Sequence, residues 1–165
     1  INCIVYLYQD TLIIVKIDSS RNRIDEMALM AHAKSIRRNI VSMIARNGQG
    51  YLQQGLGAAD LFTYIYFAEA LIDPLNPNWA DRDRIFLSTA HNSAVFHATL
   101  AERGFFEPSR LETYTKDGSE LEINVSERLG PVVEVTCGSL GQALSVATGV
   151  AQSAKRQKSR KTQII

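Results

Sequence analysis

The chain has 165 residues, within the size range of one globular domain with a core of its own. Hydrophobic residues make up 45% and charged residues 21%, with a formal net charge of +1, which excludes a disordered chain, a membrane-embedded one and a broad nucleic-acid-coating surface. The two cysteines, Cys3 and Cys137, lack any CxxC or Cys/His ligand spacing, so neither a disulfide framework nor zinc is expected, and a reducing cytoplasm fits this usage.

Residues 1–17 alternate loosely and are rich in β-branched side chains, which predicts a strand or two. The run has no basic n-region and is interrupted by Gln9 and Asp10, which argues against a signal peptide, and it is too short and broken to span a bilayer. A polar stretch over 18–23 separates it from the rest, and Met27 stands directly before the first strong helical pattern. Residues 1–24 are therefore set apart as a leader, and 25–165 are taken as the domain.

From Asp25 onward Leu29, Ala33, Ile36, Ile40, Met43 and Ile44 recur at helical spacing, and Asn47-Gly48 supplies the stop. A Gly- and Gln-rich loop is predicted next, followed by a second helix over 58–71, apolar on most sides and so expected to be buried. Pro74 and Pro77 forbid regular helix, and the alternating charges Asp81, Arg82, Asp83 and Arg84 read as a solvated, self-paired loop rather than a metal or phosphate site. The apolar run at 85–87 predicts a buried strand. A helix through Val95, Leu100 and Ala101 should end at Gly104, with a shorter one from Pro108 to Tyr114.

A second strand is predicted at 132–135, running into Cys137, Gly138, Ser139, Leu140 and Gly141 and then a helix of small residues that ends in the basic segment KRQKSRK. Strand, glycine turn and helix define an α/β pattern, and residues 162–165 read as the start of a further strand. The expected class is thus α/β: helix-rich, with a truncated parallel sheet.

Glycines between a strand and a helix let backbone N–H groups approach a phosphate at the positive end of the helix dipole. Gly138, Ser139 and Gly141 fit that use, and they fit equally a tight connection with no ligand. Cys137 reads as buried packing rather than a nucleophile. His91 lies at a strand-to-helix boundary on the same predicted sheet edge, where an imidazole could reach a ligand or merely be solvated. His32 and His97 lie inside helical patterns and read as surface or packing residues. The basic run near the C-terminus reads as a solvated helix end rather than a nucleic-acid site.

Four blocks, taken in order, carry a more specific resemblance: RRNIVSMIARNGQG, GLGAADLFTYIYF, NPNWADRDRIFLSTAH and VEVTCGSLGQALSVATGVA. Over about residues 27–155 they resemble the amino-terminal cofactor-binding region of transketolases. The resemblance implies thiamine diphosphate as cofactor, with Gly138, Ser139 and Leu140 as a backbone contact to it and His91 facing cofactor and substrate. It also implies Mg2+, whose glycine-aspartate-glycine motif and downstream asparagine would fall beyond Ile165, so no metal ligand is named in this chain. Three positions depart from the family pattern: Ala90 replaces a glycine, and Tyr51 and Asn124 replace two active-site histidines. A tyrosine offers a hydroxyl donor where a histidine would offer a titrating ring.

The GQGYLQQGLGAAD and SELEINVS stretches look most like the amino-terminal halves of split, two-gene bacterial transketolases, including those of the apulose-4-phosphate type. The implied activity is transfer of a two-carbon ketol unit between sugar phosphates. The implied partner is a carboxy-terminal, pyrimidine-binding subunit in a dimer or heterotetramer, with no nucleic acid or membrane partner. The implied enzyme is a cytoplasmic transferase, with the isolated chain inactive. Two alternatives stay open: another thiamine diphosphate enzyme, such as a deoxyxylulose-phosphate synthase or a ketoacid dehydrogenase component, or a non-catalytic remnant.

Overall fold

The structure is a computed structural model; it describes the backbone of residues 2–8 and 11–17 and, with side chains, residues 25–136 and 138–156. The first two segments form an antiparallel hairpin of β1 (Asn2–Tyr8) and β2 (Thr11–Ile17), with Tyr8 opposite Thr11 and Asn2 opposite Ile17. The β-branched run thus forms two strands.

Helix α1 (Glu26–Asn47) begins where Asp25 places its carboxylate on the N–H groups of Met27 and Ala28, at 3.0 and 3.2 Å. It ends where Gly48, at φ 69°, donates its N–H to Ile44 O. Helix α2 (Leu52–Tyr64) starts six residues earlier than the sequence pattern predicts. The Gly- and Gln-rich segment is helical, and Gly55 lies close against α1: a Cβ there would stand 3.3 Å from Ile40 Cγ2, which would have to give by a few tenths of an ångström. The helix then widens into a π turn, Ile65–Glu69, closed by Ala70 N–H donating to Ile65 O at 2.7 Å.

Helix α3 (Ser93–Arg103) is the centre of the domain; every residue from 93 to 101 is buried. Helices α1 and α2 pack on it and on each other, and Ile36, Ile40, Phe62, Tyr66, Val95 and Leu100 meet in the main core. Inside that core the hydroxyls of Thr63 and Thr99 donate to the carbonyls four residues back, so neither leaves an unpaired donor. Gly104, at φ 93°, stops α3 as expected, and the segment after it is a 3₁₀ turn, Pro108–Thr113. The last element is α4 (Gln142–Arg156), which buries Ala143 and Ala147 against Phe86 in a small second core.

The predicted strands at 85–87 and 132–135 are irregular, and β1 and β2 make up the one sheet among the described residues. The physical reason is visible in what the 82–88 segment does. Its alternate residues face the 131–147 segment through side chains, and the two backbones exchange no ladder. A parallel pair is less stable per residue than an antiparallel one and depends on neighbouring strands. The run at 162–165, predicted as a strand, lies outside the described residues, as does most of the basic segment.

Candidate functional site

The sequence DRDRIFLS supplies the frame of the site through a period of two. Arg82 and Arg84 both pair with the carboxylate of Glu134, the second at 2.9 Å. Arg82 also donates to Pro77 O at 2.8 Å, Asp83 O at 3.1 Å and Pro131 O at 2.7 Å, so all three guanidinium nitrogens are engaged. Phe86 packs against Val135, Ala143 and Ala147. Ser88 accepts the N–H of Gly141 on its carbonyl at 3.0 Å and that of Leu144 on its hydroxyl at 3.3 Å. The charged stretch is therefore no solvated loop: Arg82, Asp83 and Glu134 side chains are buried, and Asp83 accepts the N–H of Leu71 at 2.8 Å. Burial is tolerated because Arg82 and Glu134 are paired and Asp83 accepts a backbone hydrogen bond.

This strip fixes the turn that leads into α4. Gly138, Ser139 and Leu140 are exposed on it, just ahead of the helix start, with Leu140 57% accessible. A Cβ on Gly138 would find one neighbour, Asn124 Nδ2 at 3.9 Å, so a ligand can come close to the backbone there. Bare backbone ahead of a helix N-terminus suits an anionic group. Among the described residues no group of three or more His, Cys, Asp or Glu side chains could hold a metal ion.

His91 sits in the 3₁₀ turn Ala90–Asn92 that opens α3, half-buried, three residues after Ser88. Its ring meets Tyr51 edge-on, with centroids 4.5 Å apart at 65°. Tyr51 is held in place by Gly50, whose φ of 129° suits glycine and whose Cβ, if present, would lie 2.9 Å from Ile44 Cγ1. The structure thus brings Tyr51 to His91 and Asn124 to Gly138. Sequence singles out all four residues but gives no sign of the two pairings.

The other histidines are packing residues. His32 Nδ1 donates to Glu102 Oε1 at 2.9 Å and stacks on Phe67 at 4.0 Å. His97 is wholly buried; its Nε2–H donates to Glu122 O at 3.0 Å, and burial lowers its pKa to about 4, so it is neutral. Tyr114, close by, donates or accepts with Ser93 Oγ at 3.0 Å, and burial raises its pKa. Sequence reasoning missed Ser88, Arg82 and Glu134 as parts of the frame. The signal was present in the alternation Arg82, Arg84, Phe86, Ser88, which marks one face of an extended segment.

No helix of the described residues is long and apolar enough to cross a membrane. Residues 29–163 match the transketolase, thiamine diphosphate binding domain family, and the chain belongs to that family. It is 37% identical to an uncharacterized transketolase family protein of Sinorhizobium fredii over 81% of this chain and 48% of that protein. It is 34% identical to the 6-deoxy-6-sulfo-D-fructose transketolase subunit SqwG of a Clostridium species, over 76% and 46%. With an apulose-4-phosphate transketolase subunit of Actinobacillus succinogenes it shares 32% identity over 78% and 47%. The chain therefore spans about half the length of these relatives. Among solved structures, the transketolase of Campylobacter jejuni superposes with a TM-score of 0.75 at 26% identity, covering 82% of this chain and 21% of that one.

Proposed function

We propose that the chain is the diphosphate-binding section of a split transketolase, working with a carboxy-terminal, pyrimidine-binding subunit in a dimer or heterotetramer in the cytoplasm. The reaction is transfer of a two-carbon ketol unit between sugar phosphates. Two relatives bear subunit names, and the chain covers 46% and 47% of them, which supports a division of the enzyme between polypeptides. Their names specify different sugars, 6-deoxy-6-sulfo-D-fructose and apulose 4-phosphate.

The observation that carries the reading is that one strip, 82–88, holds the Gly138 turn at its end and leads directly into the His91 turn. Gly138, Ser139 and Leu140 would hold the diphosphate through backbone groups. When bound, thiamine diphosphate supplies the electron sink for breaking and forming the carbon–carbon bond. His91, steadied by Tyr51, would hydrogen-bond the sugar oxygen at the reacting carbon or relay its proton. Tyr51 and Asn124 give this site a hydroxyl and an amide, hydrogen-bonding groups suited to recognising sugar hydroxyls. Mg2+ would be held by residues outside those described, and the 85–87 and 132–135 segments would join a parallel sheet in the assembled enzyme.

The test is ketol transfer by the full-length protein reconstituted with its pyrimidine-binding subunit, thiamine diphosphate and Mg2+, across a panel of ketose phosphate donors and aldose acceptors. Transfer that requires both polypeptides supports the reading. Cofactor binding with decarboxylation of a ketoacid, and no ketol transfer, would assign a different thiamine diphosphate reaction.

A further inference from the structure

We infer that Ser88 is a positioning residue that locks the cofactor turn at α4 to the His91 segment; its bearing on the cofactor rests on the function proposed above. Two bonds from one residue make the lock. The Ser88 carbonyl accepts the N–H of Gly141 at 3.0 Å, and its hydroxyl accepts the N–H of Leu144 at 3.3 Å, across 56 residues of sequence. The hydroxyl thus caps α4 from a different segment, sharing the Leu144 N–H with Gly141 O at 3.2 Å.

The position of Ser88 gives these bonds a use beyond stability. The other contacts of the strip act further from the turn: Arg82 and Arg84 hold Glu134, and Phe86 holds the body of α4 through Ala143 and Ala147. Ser88 holds the first residues of α4, and His91 follows it by three residues at the mouth of α3. The distance from the Gly138 turn to the His91 ring is therefore set through Ser88. A shift of the turn would change both the grip on a diphosphate and the reach of His91 to a substrate at the other end of the cofactor.

The experiment compares wild type, Ser88→Ala, Ser88→Thr and the exposed neighbour Thr89→Ala in the full-length protein with its partner subunit. Amide hydrogen exchange at Gly141 and Leu144 is measured alongside titration with thiamine diphosphate and Mg2+. Ser88→Ala should speed Leu144 exchange and weaken cofactor half-saturation by about fivefold each, the size of one lost helix cap. At saturating cofactor kcat should fall as well, because the reach of His91 shifts with the turn; Ser88→Thr should restore all three readouts, and Thr89→Ala should match wild type. A cofactor affinity unmoved by Ser88→Ala, or a Thr variant as impaired as the Ala variant, overturns the inference. Wild-type protein that protects Leu144 through Ser88 but binds no thiamine diphosphate keeps the lock and overturns the cofactor reading instead.

Discussion

Tyr51 presents its ring to the imidazole of His91 at 4.5 Å and 65°, so the loop ahead of α2 and the turn ahead of α3 meet in one aromatic pair. Such pairs contribute about 1 kcal/mol beyond the area they bury. Tyr51→Ala should lower stability by about that much, and Tyr51→Phe, which keeps the ring, should leave it unchanged in urea denaturation. If the Tyr51 hydroxyl touches substrate, Tyr51→Phe will raise KM for the sugar with little change in melting.

Two glycines near this loop respond in opposite directions to the same substitution. Gly50 has a left-handed φ and no room for a Cβ between Ile44 and Tyr114, so Gly50→Ala should cost about 2 kcal/mol or more through strain and displaced neighbours. Gly57 lies inside α2 with nothing within 4 Å of its would-be Cβ, so Gly57→Ala should stabilise by about 0.5–1 kcal/mol. Chemical denaturation of the two variants separates the cases by sign.

Arg82 and Glu134 form a pair whose side chains are each 8% exposed. Arg82→Ala leaves Glu134 with Arg84 as its remaining partner and removes the donors to Pro77 O and Pro131 O, so it should cost about 3 kcal/mol. Because Arg82 also ties down Pro77 and Pro131, the double variant Arg82→Met, Glu134→Leu should recover part of that loss but not all of it. A denaturation series on the single and double variants measures the coupling directly.

Stability should fall in mild acid, and His97 is the cause. Its folded pKa lies near 4, below the ordinary 6.5, so between those values the unfolded chain binds a proton that the native chain refuses. The contribution is complete above pH 6.5 and is lost as the pH falls through that window, about 3 kcal/mol in all. His97→Gln keeps a donor for Glu122 O and has no proton to gain. Its stability should vary less between pH 7.5 and pH 5 than that of the wild type, as read by urea midpoints.

The helices were legible because their signals are local: Asp25 as a cap, Gly48 and Gly104 as stops, and apolar spacing through Ile36, Ile40 and Met43. The start of α2 was not, because Gly55 reads as a helix breaker until Ile40 is known to lie 3.3 Å from its would-be Cβ. Likewise Arg82 and Asp83 look like surface charges until Glu134 and Leu71, far away in sequence, arrive to satisfy them. As candidates for the site, His91 and the Gly138 turn stand out in the sequence by their place between predicted elements. The contacts that join them, made by Ser88, depend on the fold and leave no local mark.

The central claim, that the Gly138 turn and His91 serve one thiamine diphosphate site, is tested most directly by titrating the cofactor with Mg2+ into the full-length protein bound to its pyrimidine-binding subunit. Gly138→Ala is the informative variant, because its methyl group would meet Asn124 Nδ2 at an unstrained 3.9 Å and should leave the melting temperature unchanged. The account predicts saturable binding by wild type, clear weakening by Gly138→Ala, and retained binding with lost ketol transfer in His91→Ala. Wild-type affinity in the Gly138 variant together with full transfer in the His91 variant would contradict it.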